Sequence, residues 1–304
     1  MIDSVFITGG SGLLALNWAM ALRDRASITL ALYDRTVMLA GVSTLHASLE
    51  TVDEVVRTLD VIQPRMVIHT AGLTSVEACE ADERLAHHVN VEITGNVAAA
   101  CARRGLPLVH VSTDHLFRGD QALVREQQPV DPHNAYARTK AAAERRVQDA
   151  YPEALVVRTN FYGWGPRYRR SFSDTIIDAL RRGNPITLFT DVFYTPILAE
   201  TLSHAVHDLI RAKVTGIVHV TGDERVSKYD FGLRVAERFG LDSSLIRPGL
   251  LADQPSLVRR PFDMSLSNAL ARGVLGRGLG GVDVHLTRLH QQEQRGFAQE
   301  LQNS

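Results

Sequence analysis

The sequence is poor in cysteine, with only Cys79 and Cys101 among 304 residues. Both lie in alanine-rich stretches of helical character without the spacing of metal ligands. We therefore expect two small buried residues, a reducing compartment and no metal site. No apolar run is long enough to span a membrane, and the strand signal that begins at Ser4 leaves no room for a signal peptide. These absences predict a cytoplasmic protein.

An excess of charge of either sign is also missing. The chain carries 33 basic and 34 acidic residues, for a formal net charge of −1. This balance does not indicate nucleic acid or a membrane surface as a partner. The length and the hydrophobic content of 45% are sufficient for one large globular domain, or for a large and a small one.

The first motif that is present is a glycine-rich turn. A β-branched and aromatic run, Ser4–Ile7, is followed by Gly9 and Gly12 and then by a helical pattern that begins with Leu13 and Leu14. Between a strand and a helix, glycines permit a tight turn and close backbone approach, and the free N–H groups of the helix N-terminus attract a pyrophosphate. The motif predicts a dinucleotide site.

The second strand signal, Ser27–Tyr33, ends at Asp34, twenty-two positions beyond Gly12. An acidic residue there would accept hydrogen bonds from the adenosine ribose of NAD. The next residue, Arg35, would instead hold a 2′-phosphate or stack on adenine, and a turn salt bridge between these two neighbours is a third interpretation. The sequence leaves NADH and NADPH both open as cofactors.

Strand and helix signals alternate along most of the chain, which predicts an α/β, Rossmann-type doubly wound parallel sheet. Further strands are expected at Met66–His69, Leu108–Val111, Ala154–Val157, Ile186–Phe189 and Gly216–Val220. Helices are expected at Val52–Leu59, Leu85–Cys101, Ala135–Val147, Ser173–Arg182, Leu198–Ala212 and Tyr229–Phe239. We assign 1–160, with returning segments near 186–220, to the nucleotide-binding domain. A smaller substrate-binding domain comprises 161–185 and 221–304.

Small residues follow the strand Met66–His69. Ala71 and Gly72 would let a ring or a ribose lie against the backbone, whereas His69 is expected to be a packed core residue. Asn90, polar among apolar helical neighbours, is either a buried structural hydrogen-bonder or a support of the site.

Tyr136 and Lys140 stand four positions apart in a run that favours a helix, so both side chains can point into one site. Hydroxyls of Ser112 and Thr113 follow the strand Leu108–Val111, and ligands of open α/β sheets bind at the carboxyl ends of strands. A cation near a phenol lowers its pKa from about 10 toward neutrality. The group suits proton transfer to or from a carbonyl or alcohol oxygen.

These motifs resemble those of the extended short-chain dehydrogenases/reductases, and within them the dTDP-4-dehydrorhamnose reductases. The similarity extends from Val5 to at least Leu275. The segments that carry it are 8–12, 70–80, 111–117, 134–140, 194–196 and 260–266.

The resemblance implies an NAD(P)H-dependent reduction of a nucleotide-activated 4-keto-6-deoxy sugar. Thr113, Tyr136 and Lys140 would form the catalytic triad, in which Tyr136 gives a proton to the carbonyl oxygen while the nicotinamide supplies hydride. The residues expected to bind cofactor are Gly9, Gly12, Leu13, Leu14, Asp34, Arg35, Ala71, Gly72, Asn90, Tyr136 and Lys140. Those expected to line the sugar pocket are Thr74, Val76, Asp114, His115 and Phe161.

Two departures concern the sugar pocket: His115 stands where these reductases usually have tyrosine, and Phe161 where they often have tryptophan. The particular sugar, its nucleotide base and the product stereochemistry therefore stay open. Two alternatives also stay open, a sugar-nucleotide epimerase of the same superfamily and a non-catalytic NADP-binding subunit like the regulatory subunit of methionine adenosyltransferase. A homodimer is one assembly that the sequence allows.

Overall fold

Strands and helices alternate through most of the computed structural model, which describes residues 4–304. The strands are β1 (Ser4–Thr8), β2 (Ser27–Leu32), β3 (Ser43–His46), β4 (Met66–His69), β5 (Leu108–Val111), β6 (Leu155–Arg158), β7 (Phe161–Tyr162), β8 (Ile186–Phe189), β9 (Phe193–Tyr194), β10 (Ile197–Leu198), β11 (Gly216–His219), β12 (Val226–Ser227) and β13 (Ile246–Gly249). The α-helices are α1 (Leu13–Leu22), α2 (Val52–Ile62), α3 (Val76–Ala81), α4 (Glu83–His87), α5 (Ile93–Arg104), α6 (Ala135–Ala150), α7 (Phe172–Arg181), α8 (Ala199–Arg211), α9 (Lys228–Phe239), α10 (Ala269–Leu275), α11 (Val282–Gln294) and α12 (Phe297–Gln302). A π-helical turn spans His88–Glu92, and 3-10 turns span Ser243–Leu245 and Leu251–Asp253.

The central sheet has seven strands in the order β11-β6-β5-β4-β1-β2-β3. All of its strand pairs are parallel. Strands β4, β5 and β6 are buried along their whole length, as expected where helices cover both faces of a parallel sheet. The order reverses at β1, with β2 on one side and β4 on the other. This arrangement confirms the predicted doubly wound parallel sheet.

Three differences from the sequence prediction concern the central sheet and the helix that precedes β5. The edge strand β3 was not predicted, because its residues are polar and mostly exposed and lack alternation. The expected helix Leu85–Cys101 is divided into α4, the π-turn and α5, and the π-turn contains the buried Asn90. Of the two strands expected to return to the sheet, β11 joins it, whereas β8 pairs with β13 outside it.

No helix within residues 4–304 combines the length and the apolarity that crossing a bilayer requires.

A buried ion pair joins helix α6 to the sheet. Arg158, at the end of β6, donates to both carboxylate oxygens of Glu144 on α6, with an Nη2–Oε2 distance of 2.7 Å and an Nε–Oε1 distance of 2.9 Å. Each residue is 3% exposed. His219 of β11 lies beside the guanidinium at 3.4 Å and is itself 3.2 Å from the carbonyl of Val124. Because Tyr136, Lys140 and Glu144 recur every fourth residue, the pair fixes the helix face that carries the first two.

We expect Glu144→Met to lower the free energy of unfolding by about 3–5 kcal/mol, because it leaves the buried Arg158 charge without a partner. The double variant Glu144→Met/Arg158→Met should lose clearly less, since it removes both charges. Urea-induced unfolding followed by circular dichroism measures both.

Arg103→Met serves as a control because it breaks an ion pair with Asp53 in which both side chains are mostly exposed. It should cost less than about 1 kcal/mol. A double variant as unstable as Glu144→Met would contradict the assignment of the loss to an unpaired charge.

Candidate active site

The carboxyl ends of the central strands meet along one edge of the sheet, where two neighbouring cavities open. The first has a volume of about 370 Å³ and the second about 390 Å³. Gly9, Ser11, Ala71 and Gly72 line both. The first is also lined by Ala31, Leu32, Tyr33, Ala47, Ser48, Leu49, Glu50, Leu85, His88, Val89 and Ile93. The second is also lined by Gly12, Leu13, Leu14, Arg35, Thr70, Thr74, Tyr136, Phe161, Tyr168 and Arg169. The crevice is thus long, and the glycine loop lies at its middle.

The glycine loop fits an anionic group. Gly9 has a φ of +68°, and a Cβ there would lie 2.7 Å from the Cα of Ala71. Gly12 precedes α1 without a capping side chain, and the N–H groups of Leu13 and Leu14 have no backbone partner among the described residues. Free N–H groups at the positive end of a helix dipole attract phosphate. The loop therefore has the shape and polarity that the pyrophosphate of a dinucleotide requires.

The two residues after β2 occupy different positions. Asp34 is exposed and lines neither cavity, whereas Arg35 lines the second cavity. The Arg35 guanidinium lies over the ring of Tyr168, 3.7 Å from its centroid. The sequence also allowed a salt bridge between Asp34 and Arg35. In the described structure the Asp34 carboxylate and the Arg35 guanidinium are more than 4.0 Å apart, so this salt bridge is not formed. Arg35 is thus available to the crevice.

Asn90 supports the loop between β4 and α3. Its side chain accepts a hydrogen bond from the N–H of Leu73 at 2.8 Å and donates to the Leu73 carbonyl at 3.0 Å. It also donates to the hydroxyl of Thr139 on α6 at 3.0 Å. A Cβ on Gly72 would come within 3.0 Å of the Asn90 Oδ1 atom. Asn90 therefore ties the loop that lines the crevice to the helix that carries Tyr136 and Lys140. His69, expected to be a core residue, is buried between the hydroxyls of Thr8 and Thr94.

Tyr136 lies in the first turn of α6, which begins after an Asn134 cap. The Asn134 side chain accepts from the N–H of Ala137 at 2.8 Å and donates to the carbonyl of Arg259 at 2.9 Å. The Tyr136 ring is buried with Val76 and Cys79. Helix start and ring packing together fix the direction of the phenol.

Burial raises the pKa of Tyr136 to about 12, although the nearby Thr113 hydroxyl acts in the opposite direction. The sequence predicted a lowered pKa through the cation of Lys140, but in the structure burial dominates. The Lys140 ammonium instead donates to the carbonyl of Val111 at 2.8 Å and lies 3.3 Å from His110 Nε2. Tyr136 is therefore a protonated phenol at neutral pH.

Lys140 is a buried cation next to the strand end of β5. Burial lowers its pKa to about 8, and the carboxylate of Glu144 acts against that shift. His110 beside it stays neutral, because burial and the Lys140 charge hold its pKa well below the usual range. Lys140 is thus charged at neutral pH and titrates at mildly alkaline pH.

The residues after β5 form a polar group beside Tyr136. Thr113 Oγ1 lies 3.3 Å from Asp114 Oδ1, and the other Asp114 oxygen accepts from Asn160 at 2.5 Å. The His115 ring meets the Tyr136 ring edge-on, with a centroid separation of 5.7 Å. Burial raises the pKa of Asp114. Hydroxyl, amide, carboxyl and imidazole groups suited to a sugar therefore lie next to the phenol.

Cys79 on α3 is buried against Tyr136. Its Sγ donates to the carbonyl of Leu73 at 3.4 Å, and burial raises its pKa to about 11. Both cysteines are buried, as the sequence predicted.

Sequence reasoning missed several residues of the crevice. Tyr168 and Arg169 follow within eight residues of Phe161, which was expected to line the sugar pocket, and Arg169 donates to the hydroxyl of Thr74. Lys228, at the start of α9, holds its ammonium 3.4 Å from the centroid of the Tyr194 ring. Burial lowers the pKa of Lys228 to about 8, and Asp114 acts against that shift. The sequence around Lys228 carries no motif that would have identified it.

Comparison with known proteins gives consistent results. The model of the RmlD substrate binding domain family matches residues 3–289. A probable low-salt glycan biosynthesis reductase of Haloferax volcanii is 30% identical over 276 residues, which is 89% of this chain and 92% of the relative. The dTDP-4-dehydrorhamnose reductase of Mycobacterium tuberculosis strain H37Rv is 33% identical over 216 residues, which is 68% of each chain.

Among solved structures, a dTDP-4-dehydrorhamnose reductase from Bacillus anthracis in complex with NADP superposes with a TM-score of 0.84. It is 23% identical, and the match covers 96% of this chain and 100% of the other. The fold is thus shared over nearly the whole length.

These comparisons confirm the resemblance drawn from the motifs and the expectation of an NAD(P)-dependent oxidoreductase. Because its model covers residues 3–289, the chain belongs to the RmlD substrate binding domain family.

Proposed function

We propose that the protein is an NAD(P)H-dependent reductase of a nucleotide-activated 4-keto-6-deoxy sugar, in which Tyr136 protonates the oxygen of the C4 carbonyl. The observation that carries this proposal is the arrangement of Thr113 and Tyr136 beside a crevice that fits a dinucleotide. The relatives named as reductases of such sugars support it. They do not favour the epimerase or the regulatory subunit considered from the sequence.

Tyr136 has the protonation state that a proton donor needs. With a pKa raised to about 12 by burial, its phenol keeps its proton at neutral pH until an adjacent oxygen gains negative charge. Thr113 lies beside the phenol and would donate to the substrate oxygen, which stabilises the developing charge. The reduced nicotinamide, when bound, supplies the hydride to the carbonyl carbon.

Lys140 and the glycine loop would hold the cofactor. Gly9, Gly12 and the first N–H groups of α1 suit the pyrophosphate, and Lys140 would hold the ribose next to the nicotinamide. As a buried cation one helical turn from Tyr136, Lys140 would also stabilise negative charge that develops on the phenol.

The sugar would lie against the polar group after β5. Asp114 and His115, with Thr74, Val76 and Phe161, would line its pocket, and Asn160 and Lys228 add a half-buried amide and a cation. This combination of donors and acceptors suits the hydroxyl groups of a hexose. The replacement of tyrosine by His115 leaves a sugar other than 4-dehydrorhamnose as an equally suitable substrate.

Tyr136→Phe should lower kcat at least about 100-fold, because the phenyl ring keeps the packing but has no proton to give. Its affinity for NADPH should stay within about twofold. The measurements are loss of reduced-nicotinamide absorbance with dTDP-4-dehydro-L-rhamnose and related keto-sugars, and equilibrium binding of NADPH.

Tyr229→Phe is the matched control, because Tyr229 lies on α9 and lines neither cavity; it should retain full activity. Turnover by Tyr136→Phe at the normal rate would refute the role of the phenol. Tight NADPH binding without reduction of any keto-sugar by the unaltered chain would favour the regulatory subunit instead.

We also expect kcat to fall as the pH rises through about 8. Lys140 is charged below its pKa of about 8 and neutral above it, so its stabilisation of negative charge is present at pH 7 and lost at pH 9. A pH profile of kcat between 6 and 10 measures this alkaline limb.

Lys228 has the same lowered pKa of about 8, so the variant Lys228→Met separates the two lysines. It should keep the alkaline limb, whereas the residual activity of Lys140→Met should lack it. A limb that disappears in Lys228→Met would contradict the assignment to Lys140.

A further inference from the structure

Residues 165–171 form a strap between β7 and α7 that contacts the glycine loop. Both ends of the strap are held by the Asp174 carboxylate, which accepts from the N–H groups of Gly165 at 2.7 Å and Ser171 at 3.0 Å. A Cβ on Gly165 would lie 2.2 Å from the Arg169 carbonyl oxygen, so the strap is tightly folded. The strap is therefore a compact loop whose two ends are fixed by hydrogen bonds.

The middle of the strap makes three contacts with residues at the carboxyl ends of the central strands. The Tyr168 hydroxyl donates to the carbonyl of Ser11, inside the glycine loop, at 2.9 Å. The guanidinium of Arg35 lies on the Tyr168 ring, and Arg169 donates to Thr74. The strap thus spans the second cavity from the glycine loop to the loop after β4.

The Arg35 guanidinium is held without being neutralised. Among the described residues no carboxylate lies within 4.0 Å of it. Its planar face is occupied by Tyr168, which leaves its edge N–H groups for another acceptor. Guanidinium groups oriented by stacking bind phosphate oxygens well, because their donors are fixed before the ligand arrives.

We propose that Tyr168 is a cofactor-positioning residue, which holds Arg35 at the mouth of the crevice so that the guanidinium binds a phosphate of the dinucleotide. This inference rests on the dinucleotide part of the proposed function and adds the strap to it. The phosphate is either the 2′-phosphate of NADPH or the pyrophosphate that both cofactors share.

The test is the equilibrium binding of NADPH and of NADH to the full chain without any sugar. Calorimetry measures the Kd at several salt concentrations. Tyr168→Leu removes the ring face that orients Arg35, and Arg35→Gln removes the charge. Each should weaken NADPH binding about tenfold and reduce the salt dependence of the Kd. Tyr168→Phe keeps the ring and should restore binding to within about threefold of the unaltered chain.

The double variant Arg35→Gln/Tyr168→Leu should bind no more weakly than Arg35→Gln, because Tyr168 acts through Arg35. If only the affinity for NADPH falls, the group that Arg35 binds is the 2′-phosphate. If the affinity for NADH falls equally, the group is the pyrophosphate. Arg167→Gln is the matched control: it lies on the same strap, donates to Asn303, and should leave both affinities unchanged.

Additive losses in the double variant, or a Tyr168→Leu variant that binds NADPH as tightly and with the same salt dependence as the unaltered chain, would overturn the proposal. Dinucleotide binding by the unaltered chain distinguishes a failure of this proposal from a failure of the proposed function. If it binds neither dinucleotide, both proposals fail; if it binds one and the strap variants match it, only the role of Tyr168 fails.

Discussion

The ion pair between Arg158 and Glu144 determines how the reactive groups meet. Helix α6 crosses the sheet with Tyr136, Lys140 and Glu144 on one face; Glu144 is joined to the sheet by an ion pair, and Lys140 by a hydrogen bond to a strand carbonyl. Two buried ions are costly to desolvate, so this pair is stable only with its full set of hydrogen bonds and in this one geometry. Fixing the far end of that face fixes the angle at which the phenol and the ammonium reach the strand end of β5.

Two asparagine side chains hold the segments around the phenol in place. Asn90, in the π-turn, holds the loop after β4, and Asn134 caps α6 while also binding the chain at Arg259. Both are neutral amides that donate and accept at once, so they join segments distant in sequence without adding charge. The charges at the crevice are therefore those of Glu50, Arg35 and Arg169, which line it, and those of Lys140, Asp114 and Lys228 on neighbouring segments.

Local pattern was sufficient to predict the sheet, the glycine loop and the shared face of Tyr136 and Lys140, because each depends on spacing within a few residues. It was insufficient where contacts join distant segments. Tyr168 and Ser11 are 157 positions apart, and nothing near either residue indicates the other. The direction of the Tyr136 pKa was also wrong from the sequence, because burial depends on the packing of Val76, Cys79 and His115 around the ring, which no spacing rule describes. Strand β3 escaped prediction because an exposed polar edge strand lacks alternation.

The buried position of Cys79 makes its reaction with alkylating reagents a measure of local opening near Tyr136. Its thiol is buried behind Tyr136 and bonded to the Leu73 carbonyl, so an alkylating reagent reaches it only when the loop after β4 separates from α3. The rate of alkylation would then measure the equilibrium of that local opening. Cys101, whose pKa burial raises to about 12, lies deeper in the core with Val97 and Leu108 and would serve as an internal reference for global unfolding.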